Sequence, residues 1–137
     1  MNLRGLVAVT GRPGLFRLIG QNKNGFVIES LDNAAVRHVV NLSTTKLATL
    51  EDITIFGEEE EIRLIDVFYK IKENPEVLPD VKADGATLRN FFKTIVPNHD
   101  ETRVYTSDIK KVVTWYNIIK ELPLFEEPEP EPLNVKA

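Results

Sequence analysis

Two histidines, His38 and His99, and three serines, Ser30, Ser43 and Ser107, are the residues of this 137-residue chain best suited to proton transfer or nucleophilic attack, and there is no cysteine. His99-Asp100-Glu101 is the only place where an imidazole adjoins carboxylates, the types that serve as general bases or metal ligands. Three consecutive residues after Pro97 lack the helical spacing that makes ligands converge, so a solvated loop is the expected reading. The serines have no histidine near them in sequence, which weakens the case for a triad. The carboxylate runs Glu51-Asp52 and Glu58 to Glu61 are read as solvated faces. No phosphate-binding glycine loop and no nucleophile elbow occurs. Without cysteine there is no disulfide, thiolate nucleophile or thiolate metal site. Neither a catalytic residue nor a cofactor nor a metal site is expected, and the chain is read as a non-enzyme. The alternative, a small enzyme or ligand sensor, would have to use His99, Asp100 and Glu101.

Binding chemistry is more promising. Arg4, Arg12, Arg17, Lys23 and Arg37 lie in the N-terminal half with Phe16 and Phe26 nearby, the mixture by which small barrels hold single-stranded nucleic acid. Charge is uneven: six basic against four acidic side chains in residues 1–57, ten against thirteen in 58–122, and one against four in 123–137. The mildly basic half is therefore where a polyanion would dock, although its field is weak and both phenylalanines are equally explained as core. Gly11-Arg12-Pro13-Gly14 has the pattern of a nucleotide-clamping loop, but that loop joins helices and both flanks here are strand-like, so a tight turn is expected. Phe68, Tyr69, Phe91, Phe92, Trp115 and Tyr116 recur at helical spacing, as core residues do. Trp115 and Tyr116 are adjacent and must point apart, so one of them is a candidate partner-facing aromatic.

The elements that must position these residues fall into two halves. Leu6 to Thr10, Leu15 to Ile19, Phe26 to Ser30, Val36 to Val40 and Ile53 to Phe56 read as five short strands, with turns at Gly11–Gly14, at Asn24-Gly25 in type I′ geometry and at Asp32-Asn33. That spacing predicts a small closed or half-closed β-barrel. From Glu58 the period becomes helical, and the four glutamates would sit at the favourable end of a first helix dipole. A stiff extended linker over Pro75–Pro79 leads to a second helix starting at Asp84 and ended by Pro97. A third has Thr106, Ser107 or Asp108 as its N-cap. The acid-proline alternation at the end predicts a disordered tail. The expected organisation is thus α+β, with a barrel over 1–57, a three-helix domain over 58–122 and a tail over 123–137, the two folded halves sharing an interface because each alone is small.

Gly5-Leu6-Val7-Ala8-Val9-Thr10-Gly11-Arg12-Pro13-Gly14-Leu15-Phe16, together with Val104 to Lys111 and Trp115-Tyr116-Asn117, resembles a small bacterial family of unknown function. The resemblance covers the chain to about Leu122. It implies an SH3-like barrel followed by a helical domain, and no activity, cofactor or site residue. The composition is that of a folded protein, no apolar run reaches the length of a membrane span, and no signal peptide is visible, which points to the cytoplasm and away from membranes. The expected role is a non-catalytic adaptor binding a protein partner. RNA or single-stranded DNA binding by the basic face is the alternative, and self-association stays open.

Overall fold

The computed structural model describes residues 1–31, 34–41 and 43–130. β1 (Leu6–Val9), β2 (Arg12–Gln21), β3 (Gly25–Ser30), β4 (Arg37–Asn41) and β5 (Leu47–Thr49) form one antiparallel sheet in the order β4-β3-β2-β1-β5. Alternation along β1 sends Leu6 and Ala8 toward the helices and Val7 and Val9 to the opposite face. On that opposite face Val7, Val9, Ile28 and Val40 form a second small core with Phe16, Leu18, Phe26 and Leu47. Every one of these residues belongs to the sheet, so the sheet covers this face by bending over itself. Register irregularities between Val7 and Val9 and between Leu18 and Gly20 supply the bend. Among the described residues β4 and β5, the two ends of the order, are not hydrogen-bonded to each other, so the architecture is a five-stranded sheet followed by three helices and not a closed barrel.

Several local expectations change. The fifth strand is Leu47–Thr49, not Ile53–Phe56: three residues, none of them buried, are too short a run to show a period of two. Thr54–Ile55 instead forms β6, which pairs with β7 (Ile62–Arg63) in a separate ribbon. The β2–β3 hairpin exists, but Asn22 makes its turn, its Oδ1 accepting from the N–H groups of Asn24 and Gly25 at 2.9 Å each, and neither of those residues has a positive φ. Gly25 is needed because a side chain there would collide with the Val40 carbonyl of β4. The expected Asp32-Asn33 turn lies outside the described residues.

The helices are α1 (Leu64–Glu73), α2 (Gly85–Ile95) and α3 (Thr106–Ile119). Glu58 to Glu61 do not open α1; they form the exposed turn between β6 and β7. Gly57 pairs with His99, and the Glu58 N–H donates to the Asn98 carbonyl at 2.9 Å, so the chain is pinned before it can coil. Asp84 caps α2 as expected, its Oδ1 accepting from the Thr87 N–H at 2.8 Å, a bond that also lowers the pKa of its carboxyl. The N-cap of α3 is Tyr105, with Thr106 to Asp108 inside the helix and the Asp108 carboxylate reaching back to the Tyr105 N–H at 3.0 Å. Pro75–Val77 makes a 3₁₀ turn in place of an extended linker.

One core joins the halves: Met1, Leu3, Leu6, Leu15 and Leu50 pack with the buried faces of all three helices. It also runs past Leu122. Pro123–Phe125 forms a 3₁₀ turn that buries Leu124 and Phe125, at 6% and 9% exposure. Beyond it Glu126 pairs with Lys72 at 3.4 Å and Glu129 with Arg63 at 2.8 Å. The described part of the expected tail is therefore folded, because two large apolar residues precede the acid-proline pattern; residues 131–137 lie outside the described residues. Among the described residues no helix is long and apolar enough to cross a membrane.

Candidate functional site

The residues with the most reactive side chains are drawn apart. His99 is buried at 3% exposure, its Nδ1 2.6 Å from the Val96 carbonyl and its ring edge-on to Phe92 at 4.8 Å. A carbonyl can only accept, so Nδ1 carries the proton there. Asp100 turns outward to accept from the Thr102 hydroxyl at 2.7 Å and Arg103 Nε at 2.8 Å, which hold its carboxyl down to about 2. Glu101 pairs with Lys93 at 3.1 Å, which lowers its pKa as well. The three side chains thus serve three separate partners. Among the described residues no group of three histidine and carboxylate side chains is placed to hold a metal.

The five N-terminal cations do not make one face either. Arg4 is committed to Glu51 at 2.9 Å and Arg37 to its cross-strand neighbour Glu29 at 3.3 Å. Arg17 is exposed on β2 and Lys23 in the β2–β3 turn. Arg12, where β2 begins, faces the helical half across a groove. Of the two adjacent aromatics, Tyr116 turns inward at 4% exposure between Phe68 and Phe125, at ring distances of 5.9 and 5.7 Å, and so is not partner-facing. Trp115 is half-buried and lines the groove.

That groove, about 880 Å³, lies between β1 and β5 on one side and α3 on the other. Ser107, Lys110, Lys111, Thr114 and Trp115 lie along it at the i, i+3, i+4, i+7, i+8 positions of one helical stripe, and Arg12 at the start of β2 and Lys46 just before β5 reach it from the sheet. Among the described residues four cations line it and no carboxylate does. Among the described residues none of the four makes an ion pair, although the chain carries a net charge of −4. Of the glutamates that follow Phe125, Glu126 is engaged by Lys72 and Glu129 by Arg63.

Lys111 and Trp115 also border a second pocket of about 220 Å³. Its floor is Leu64, Phe92, Val104 and Val112, all buried, and its rim includes Ile55 and the exposed ring of Phe56, over which the Arg103 guanidinium lies at 4.5 Å. A cationic groove and an apolar pocket therefore meet at one pair of α3 side chains. The sequence reading missed Lys46, Lys110 and Lys111. The α3 pair was visible, since both sit on the stripe that ends at Trp115, but nothing local showed that Lys46 and Arg12 would face them.

Residues 3–50 match a family described as a domain of unknown function (DUF5606), and residues 53–119 match another, also described as a domain of unknown function (DUF6852). A solution NMR structure of a protein from Bacteroides vulgatus, determined as a structural genomics target, is 33% identical over 85% of this chain and 84% of that one, with a TM-score of 0.69. This chain belongs to that bacterial family of unknown function. No curated protein matches it. The two matched segments of the family divide at Leu50–Asp52, a turn whose Leu50 is fully buried in the shared core, so the division in sequence is not a division in packing.

Proposed function

We propose that this protein is a non-catalytic binding module that holds an acidic segment of a partner protein in the groove between β1, β5 and α3. The observation that carries this reading is the set Arg12, Lys46, Lys110 and Lys111: among the described residues these four cations have no ion-pair partner and no carboxylate lines the groove around them. Charge concentrated in a cleft steers an oppositely charged ligand even when the net charge is unfavourable. The self-covered five-stranded sheet supports regarding the N-terminal half as a half-closed SH3-like barrel, and a cytoplasmic location is part of the same proposal.

A second reading, single-stranded RNA or DNA, draws on Trp115 standing among those cations, since a base can stack on an aromatic beside phosphate-binding lysines. The test is a titration of a labelled oligo-glutamate peptide and of a labelled single-stranded oligonucleotide. The peptide is expected to bind, more weakly as salt rises. Lys110→Ala with Lys111→Ala should cost about three- to thirtyfold, because each exposed charge contact contributes roughly 0.3–1 kcal/mol. Arg17→Ala and Lys23→Ala should change nothing. No peptide binding at low salt, or an oligonucleotide that binds far more tightly through the same lysines, overturns the proposal.

A further inference from the structure

The apolar pocket beside the groove narrows the chemistry of the partner further, on the footing of the proposed acidic-segment reading. Lys111 and Trp115 line both spaces, so a chain lying in the groove reaches the pocket by passing between them. The pocket's floor is apolar, with Leu64, Phe92, Val104 and Val112 at 0 to 4% exposure. Its volume of about 220 Å³ is sufficient for one large side chain, given that a closed apolar cavity of about 150 Å³ accepts benzene. Its charged groups stand on the wall: the Asp108 carboxylate, held by the Tyr105 N–H at 3.0 Å, Arg103, paired with Asp100 at 2.8 Å, and Lys111. The groove therefore suits an anion, and the pocket's uncharged floor suits an apolar side chain.

We infer that the partner segment combines a run of acidic residues with one large aliphatic or aromatic residue beside it, the acids lying along Arg12, Lys46, Lys110 and Lys111 and the apolar side chain entering the pocket rimmed by Phe56 and Trp115. The complementarity is chemical on both sides: four cations for the acids, an uncharged floor for the anchor. Phosphates match the groove, but the pocket's apolar floor offers no polar partner to the donors and acceptors on a base edge, which favours peptide over nucleic acid. A half-buried tryptophan and an exposed phenylalanine around an apolar pocket are also what the centre of a protein-binding site is made of.

The experiment compares three soluble peptides on the full chain: acidic residues with one leucine, the same with glycine for the leucine, and the leucine peptide with glutamine for every glutamate. Removing the leucine should weaken binding at least about tenfold, since a buried leucine is worth that much. Phe56→Ala should shrink that difference and leave the glycine peptide's affinity unchanged, and Lys46→Ala with Lys110→Ala, which touch the groove alone, should weaken both acidic peptides alike. Equal affinity of the leucine and glycine peptides, or a preference left undiminished by Phe56→Ala, overturns the inference while the acidic-segment reading stands. Failure of every acidic peptide to bind, or displacement of the leucine peptide by a single-stranded oligonucleotide at lower concentration, overturns the reading and the inference with it.

Discussion

Replacing Phe125 by alanine tests whether the fold extends beyond α3. The ring is 9% exposed, stands edge-on to Tyr116 at 5.7 Å and lies 4.6 Å beneath Lys72 Nζ. Truncating a buried phenylalanine costs about 3–5 kcal/mol, and the low end applies here because a segment near the chain end can collapse or detach. Detachment also sets a ceiling, since the loss cannot exceed the free energy with which residues 123–130 dock. About 3 kcal/mol is therefore expected, which for a chain of this size lowers Tm by about 10 °C. Urea unfolding should show a lower midpoint, and ending the chain after Leu122 should produce a loss of similar size. A change below about 0.5 kcal/mol, the range of ordinary surface substitutions, would refute the reasoning and return Phe125 to a solvated tail.

Gly57→Ala should destabilise by roughly 1–3 kcal/mol, because the added methyl meets the rigid Glu60 carbonyl of the β6–β7 turn; a thermal melt within 1–2 °C of the parent, using about 3 °C per kcal/mol, would show that the turn yields. Asp100 should stay ionised to about pH 2. Its folded pKa lies below the ordinary 3.8, so the stability it contributes is present above that value and is lost as pH falls toward 2. A carboxyl NMR titration should find that midpoint, Thr102→Ala should move it upward, and a midpoint near 4 in the parent chain would contradict the hydrogen bonds at Asp100.

The parts of the fold legible in sequence were those whose signal is local. Leu88, Phe91, Phe92 and Ile95 share one helical face, and Asp84 caps that helix because its carboxylate needs only the N–H three residues on. Glu58 to Glu61 misled because acids favour a helix start and an exposed turn equally, and the deciding contacts, Gly57 with His99 and Glu58 with Asn98, span some forty residues. β5 was invisible because three residues gain their structure from pairing with β1 and from nothing within themselves. The groove was half legible. The Lys110, Lys111 and Trp115 stripe follows from helical spacing, whereas Arg12 and Lys46 join it only through the packing of α3 against the sheet. The basic set chosen by proximity in sequence was broken up by Glu51 and Glu29, partners that the sheet brings to Arg4 and Arg37.

The most direct measurement is an amide-shift map of the ¹⁵N-labelled protein titrated with an oligo-glutamate peptide. Binding in the groove predicts saturable shifts along Ser107 to Trp115 and at Arg12 and Lys46, with Arg17, Lys23 and Lys93 unmoved. Shifts centred on the Arg63 and Lys72 surface where the chain's own glutamates already lie, or no saturable shift at low salt, would contradict it.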